Sequence, residues 1–540
     1  MYRPDGTVVG MSSSSASPAS PAGLPGGRAW AALAVLTLPV LLVSIDNTVL
    51  GFAVPTLSED LRPSASQLLW IVDVYSFVLA GLLVTMGVLG DRLGRRRLLL
   101  IGSAGFGLAS LAAAYAQSAE VLIAARAAMG FAGATLMPAT LSLIRNIFVD
   151  RRRRRVAIAV WSAAFSGGAA LGPILGGWLL EHFWWGSVFL LNLPTMAVLL
   201  AIGPWLIPES RDPAPGRFDP LSALYSLLAL LPAVYGLKKS VESGISPIAT
   251  FAFVLGIGFA IVFVRRQRRL DTPMLDVSLF TDRTFSIAVL TNLLSVFVLV
   301  GCLFLLTQYL QLVLGLRPMH AGLLLLPGLT AAVVGSLLAT RLVRRFAMAS
   351  LLGVALAVSG LGTLLLAGVS VDTGLVVATV AFGLIGLGVG VAELLTNDAI
   401  LASVPARRAG AASAVSETAY ELGAALGIAV LGSVLAAVYR NGLTEVPGVD
   451  AEQLSSAAET LGTAMGLAAE LAGPAGVALA QAAAGAFVDG MRLTSVIGAV
   501  IMVTAAVVSW RLIRRAALDS GRPESGPGES GSRLDTNTTQ

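Results

Sequence analysis

Fourteen continuous apolar stretches, most about as long as a bilayer-crossing helix, leave this chain one class of fold. They run at 29–54, 67–90, 98–117, 120–147, 156–180, 186–207, 220–237, 246–264, 285–313, 321–340, 348–370, 373–400, 409–438 and 490–513. About 20 apolar residues cross the hydrocarbon core as a helix. The runs are continuous rather than alternating, which excludes a β-barrel. Charged residues make up 12% of the 540, against about 25% in soluble domains. So little polar surface cannot cover so much apolar sequence, so a soluble globular protein, a disordered chain and a coiled coil are excluded. The single Cys302 excludes a disulfide scaffold. The expectation is an all-α membrane protein.

Charge placement orients it. Residues 1–28 carry no apolar run and read as a disordered cytoplasmic tail rather than a signal peptide; 515–540 reads as a second tail. With the N-terminus inside, 29 of the 36 Lys and Arg residues fall in inner segments. Six fall in outer ones: Arg62, Lys238, Lys239, Arg317, Arg440 and Arg492. Arg126 alone lies within a span. This bias places both termini in the cytoplasm. The run Arg151 to Arg155 is then a topology anchor at anionic lipid, and the net charge of +5 does not point to nucleic acid. The stretch 441–489 holds Glu470 and Pro474, and a fifteenth span there would put Arg511, Arg514 and Arg515 outside. It reads as a long outer loop with amphipathic helical pieces.

The chain repeats itself. Residues 89–96 read LGDRLGRR and residues 338–345 read LATRLVRR, an offset of 249. This predicts an N-terminal six-span bundle at 29–207, two linker spans at 208–284 and a C-terminal six-span bundle at 285–514. Parallel six-span repeats are a transporter architecture with the substrate site between the halves.

The segment GVLGDRLGRRR, with Gly87, Gly90, Asp91, Arg92, Gly94 and Arg95, resembles the cytoplasmic signature of the major facilitator superfamily. That resemblance implies a loop that latches the halves on the cytoplasmic side. The second copy has Thr340 where the first has Asp91. In the fifth span, GGAALGPILGG puts Gly168, Gly172 and Gly176 on one helix face beside Pro173. This string resembles the signature of the superfamily's antiporter branch. Arg126, in AARAAMGFAGA, is costly in a membrane unless paired or hydrated. It resembles the family's span-4 arginine near the proton-coupling carboxylates.

Few acids fall inside the spans. They are Asp46 in the first, Asp73 in the second, Glu393 and Asp398 toward the inner end of the twelfth, and Glu417 and Glu421 in the thirteenth. An intramembrane carboxylate faces a cavity or a partner and is suited to exchanging a proton at physiological pH. Glu417 and Glu421, at i and i+4, share a helix face and titrate as a pair. The strings SIDNTVLGFAVP, LWIVDVYSF and SETAYELG are similar to those of fourteen-span drug/proton antiporters of the QacA, SmvA and EmrB type, as is HFWWGSVFLLNLP (His182 to Pro194). The resemblance implies that Asp46, Asp73, Arg126, Glu417 and Glu421 serve proton coupling and recognition of cationic drugs. Some members carry an acidic pair where this chain has Ser416-Glu417, and some an acid in span 10, where LLLLPGLTAAVVG has none.

Trp70, Tyr75, Tyr309, Gln308, Gln311, Tyr420 and Glu393 are candidate cavity-lining residues, since aromatic faces attract organic cations. The alternative for the aromatics is belt or core packing. His182 and His320 stand in outer loops with no second ligand at metal spacing, so no metal site is expected. No phosphate-binding loop is present, and neither a cofactor nor an enzymatic site is expected. The reading is a proton-driven exporter of lipophilic cations in the bacterial inner membrane. Protons are its coupling ion, membrane lipids its surroundings, and it is expected to be a monomer. The alternatives are an exporter of an endogenous neutral or anionic metabolite and, more remotely, a non-transporting membrane sensor.

Overall fold

The computed structural model describes residues 26–211, 219–243, 246–271, 273, 275–371, 374–404, 409–471 and 473–519. No strand occurs among them. Fourteen helices are long and apolar enough to cross a membrane, here spans 1 to 14 in chain order. They are Gly26–Leu61, Ala65–Leu93, Arg95–Ala114, Ala119–Ile147, Val156–His182, Ser187–Leu206, Pro220–Ser240, Pro247–Gln267, Arg283–Val313, Pro318–Leu342, Met348–Gly368, Gly374–Ala402, Ala412–Gly442 and Gly473–Arg515. Local sequence sets their starts. Ser64 and Gln67 form a reciprocal capping box at span 2. Ser118, Ser246 and Asp282 cap spans 4, 8 and 9, with Pro247 in the first turn of span 8.

Helix pairing repeats with an eight-span shift. Span 1 packs on span 5, span 2 on span 4, and span 3 on spans 4 and 6. Likewise span 9 packs on span 13, span 10 on span 12, and span 11 on spans 12 and 14. The halves meet where span 2 crosses span 13 and where span 5 crosses span 10, contacts that the same shift interchanges. Spans 7 and 8 pack on each other, and span 7 also touches spans 2 and 13.

The glycines of span 5 set these distances. A Cβ at Gly168 would stand 2.5 Å from the Leu41 carbonyl oxygen, and one at Gly176 2.7 Å from the Val49 side chain. One at Gly172 would overlap Thr48. Span 5 therefore lies directly on span 1. Its other side meets span 10, where a Cβ at Gly177 would be 2.6 Å from the Met319 backbone. A Cβ at Gly322 would be 2.5 Å from the Pro173 carbonyl oxygen. The string thus carries both the span 1 contact and a contact between halves.

Two regions depart from expectation. The helix of span 7 continues to Ser243, so Lys238 is a buried membrane residue rather than part of an outer segment. Its ammonium is accommodated because a carboxylate meets it there. The stretch 441–489 contains short helices Ala451–Ala457 and Leu461–Leu471, and its last part already belongs to the helix of span 14, which begins at Gly473. Gly473 takes φ +67°, Pro474 fits the first turn, and the Ala-rich sequence beyond favours helix. The outer segment lies over spans 1 and 2: Arg62 pairs with Glu470 at 2.6 Å, and the Ala65 N–H donates to Glu459 at 3.2 Å. Ser455 is exposed on the first outer helix. A cysteine placed at Ser455 is expected to react with a membrane-impermeant maleimide on intact cells; labelling only after permeabilisation would overturn the topology.

Candidate functional site

A cavity with two lobes enters from the cytoplasmic side. The first lobe, about 350 Å³, runs from Asp91 and Arg145 at the inner ends of spans 2 and 4 past Gly87 and Trp161 to Glu417. The second, about 330 Å³, is lined by Phe165, Asn292, Glu393, Asn397, Glu417 and Tyr420 among others. Met137, Trp161 and Glu417 line both lobes. Beyond them a narrow extension of about 50 Å³ reaches Ser44, Asn47, Ser76 and Arg126. The cavity lies between the halves because span 13 supplies Glu417 and Tyr420, span 12 supplies Glu393, and span 5 supplies Trp161 and Phe165. The Phe165 and Tyr420 rings meet edge to face at 5.8 Å. Ser416, next to Glu417, donates to Asn397 at 2.5 Å, and Asn292 donates to its carbonyl at 3.3 Å.

The intramembrane acids divide by partner. Asp46 is 1% exposed and pairs with Arg126 at 2.5 Å. Arg126 Nε also donates to the Ile71 carbonyl, and its guanidinium stands over the Tyr75 ring, 4.6 Å from the centroid. Asn192 donates to Ser110 at 3.0 Å and lies 3.5 Å from the other Asp46 oxygen. Asp73 is fully buried and pairs with Lys238 at 2.6 Å, whose Nζ is 4.5 Å from the Trp70 ring centroid. Arg126 and Lys238 are the buried cationic side chains among the described residues. They face Asp46 and Asp73, which leaves Glu393, Glu417 and Glu421 without an ion pair to a described base.

Glu417 and Glu421 do not look into the same space. Glu417 is partly exposed in the cavity, whereas Glu421 is 1% exposed and lies against Ser76 and Asn47 of the other half. Among the candidate lining residues, Tyr420 and Glu393 line the second lobe. Trp70 packs with Phe77 and Lys238, and Tyr75 is buried on Arg126. Gln308, Tyr309 and Gln311 lie at the outer end of span 9. Tyr309 donates to the Ser370 carbonyl at 2.6 Å and Gln311 to the Phe52 carbonyl at 3.3 Å. Gln308 lines a small outer pocket beside Tyr439.

The cytoplasmic signature is engaged within its own half. Asp91 pairs with Arg95 at 2.7 Å. Gly94, at φ +107°, turns the chain so that the Arg96 and Arg97 N–H groups donate to the Glu209 carboxylate at the start of span 3. A negative charge there also meets the positive end of the helix dipole. Gly87 and Asp91 stand at the open cavity. This arrangement fits an inward-facing state.

Asn192, Trp161, Phe165 and Asn397 belong to the site without an individual signal in the sequence, and Lys238, expected in an outer segment, is instead the buried partner of Asp73. Lys238 closes an apolar run beside Lys239, and the others stand in apolar runs without a motif of their own.

Comparison with known proteins agrees with this architecture. The family model for the Major Facilitator Superfamily matches residues 36–428. The chain is 51% identical over 488 residues to the multidrug efflux pump LfrA of Mycolicibacterium smegmatis, covering 90% of this chain and 97% of that protein. It is 39% identical to the methyl viologen resistance protein SmvA of Salmonella typhimurium, covering 85% and 93%. It is 31% identical to the tetracenomycin C resistance and export protein of Streptomyces glaucescens, covering 93% and 94%. Among solved structures, a bacterial homologue of the human lysosomal transporter Spinster, inward-facing and unoccupied, superposes with a TM-score of 0.65 at 19% identity. That match covers 91% of this chain and 98% of the other.

Proposed function

The chain belongs to the Major Facilitator Superfamily, and from that premise we propose that it exports lipophilic organic cations in exchange for protons. It is a multi-pass protein of the bacterial plasma membrane. The observation that carries the proposal is the cavity itself, where Glu417 and Glu393 stand among Trp161, Phe165 and Tyr420 with no ion pair to a base among the described residues. Carboxylates attract a cation, and aromatic faces hold it without demanding one shape. A cation arriving from the cytoplasm displaces a proton from this cluster. The halves then rock about their two crossings and the site opens outward, where a returning proton neutralises the carboxylate and releases the cation. Each charge moved down 100 mV supplies ~2.3 kcal/mol. The protons are the coupling ion; no other cofactor is proposed, and the activity is transport rather than catalysis.

The names carried by LfrA and SmvA support this reading. The tetracenomycin C resistance and export protein is named for an antibiotic, which keeps open a second reading, export of a neutral or anionic antibiotic through the same cavity. The test is a susceptibility panel in an efflux-deficient bacterial host. The protein is expected to raise tolerance several-fold to lipophilic cationic dyes and to methyl viologen, and an uncoupler should abolish dye efflux. Protection against neutral or anionic antibiotics alone would overturn the cation reading in favour of the second.

A further inference from the structure

Lys238 is one of two lysines in the chain and its ammonium is 2% exposed. Its carboxylate partner, Asp73, lines neither lobe of the cavity nor its extension. Neither residue makes a further hydrogen bond among the described residues. The pair sits where span 7 crosses span 2, and a second polar contact joins the same helices further inward: Ser226 donates to the Gly81 carbonyl at 2.8 Å. The antiparallel helices bring these contacts into register, outer with outer and inner with inner. A Cβ at Gly81 would lie 2.6 Å from the Leu227 side chain, so the helices nearly touch there. The face of span 7 toward span 13 differs. There Leu231 and Val234 meet Leu422, Ala425, Leu426 and Ala429, all apolar. At their cytoplasmic ends spans 7 and 8 are tied by Asp219 and Arg266 at 2.9 Å and by Gln267 donating to Ser222 at 2.7 Å. Burial works against the Asp219 charge, yet hydrogen bonds from Arg266 and Ser222 hold its carboxyl below the usual range.

We propose that Lys238 is a resident counter-ion that occupies Asp73 and fastens spans 7 and 8 to the N-terminal half. The two additional spans then travel with span 2 and slide along the apolar face of span 13 when access alternates. Breaking the contact to span 2 means separating two desolvated charges, whereas apolar surfaces slide with little specific penalty. Lys238 is accordingly a positioning residue, and Asp73 is withdrawn from the carboxylates offered to cations and protons. The fastening stands on geometry alone; its consequence for turnover rests on the export reading.

Two measurements test the two parts separately. In a Cys302→Ser background, Gly81→Cys with Leu227→Cys is expected to form a disulfide readily in membranes, and the yield should fall several-fold when Asp73→Asn and Lys238→Met are added. This gel readout needs no substrate, and an unchanged yield would overturn the fastening. In transport, Lys238→Met alone leaves a buried unpaired carboxylate and is expected to fold poorly, so the double variant Asp73→Asn/Lys238→Met carries the assay. Its turnover should drop on the order of tenfold with the KM for the cation unchanged, because no ion pair then holds span 7 to span 2. The swap Asp73→Lys/Lys238→Asp should restore most of that turnover. A raised KM or lost proton coupling in the double variant would make Asp73 a binding acid and overturn the proposal, as would full turnover. If the wild type moves no cation while the cross-link responds as expected, the export reading fails and the fastening stands.

Discussion

Replacing Glu417 by Gln is expected to reduce cation export about tenfold or more, the factor that ~1.4 kcal/mol of lost attraction represents, in a protein that still folds. Glu417 is the acid shared by both cavity lobes, so a cation in either lobe meets it. It pairs with no buried base among the described residues, and Gln keeps its shape, so neither a cavity nor an orphan charge is created there. The variant separates function from stability for that reason. Glu393→Gln changes the second lobe only and is expected to narrow the range of cations more than it slows the transport of those still accepted. Both variants are measured in proteoliposomes by cation-induced proton release and by cation flux. Wild-type release by Glu417→Gln would move the exchange step to another acid. Glu421 is then the one to examine, since it sits on the span 2 and span 13 crossing against Ser76 and Asn47.

The acids themselves were legible because a charged residue in an apolar run stands out without any structure. Their pairing was not. Asp46 and Asp73 look alike in sequence, each in an outer-half position of an early span, and the sequence leaves each facing either a cavity or a partner. Each is in fact neutralised by a base from another helix, and only folding places Arg126 and Lys238 beside them. Lys238 was hidden by its position. It follows an apolar run directly, so an apolar-run boundary drawn before it turns a buried ion pair into an outer loop charge. The eight-span shift, by contrast, was written in LGDRLGRR and LATRLVRR, and the helix pairing repeats it. The cavity aromatics Trp161 and Phe165 left no trace, because one aromatic in an apolar helix faces lipid, core or cavity with equal plausibility. Span 14 misled in the opposite sense: alanine is apolar enough to look like a span and helical enough to extend one outward, so the start of its helix does not coincide with the start of its hydrophobic stretch.

Removing the Asp46 charge is expected to cost more than export. In Asp46→Asn, Arg126 would remain 1% exposed with its carboxylate gone, and stripping one partner from a buried pair costs about 3–5 kcal/mol. The Ile71 carbonyl and the Tyr75 ring still face the guanidinium, but neither balances its charge. The single variant should therefore show a clearly lower thermal midpoint in detergent together with lost transport. Asp46→Asn/Arg126→Gln removes both charges, leaves Asn192 and Ser110 able to satisfy one another, and should recover most of the midpoint. Transport by the double variant then decides the role of the pair. If cation flux returns with the midpoint, Asp46 and Arg126 hold spans 1 and 4 together and do no more. If flux stays absent in a stable protein, the pair takes part in exchange, with Arg126, which lines the narrow end of the cavity, acting as the switch that releases Asp46 when a proton arrives. The second outcome is the expected one, because the guanidinium reaches the extension that leads from Tyr420 and Phe165 while the carboxylate lies behind it. A proton advancing from Glu417 meets a guanidinium that is already protonated, so the acid it holds is the one group there able to take that proton.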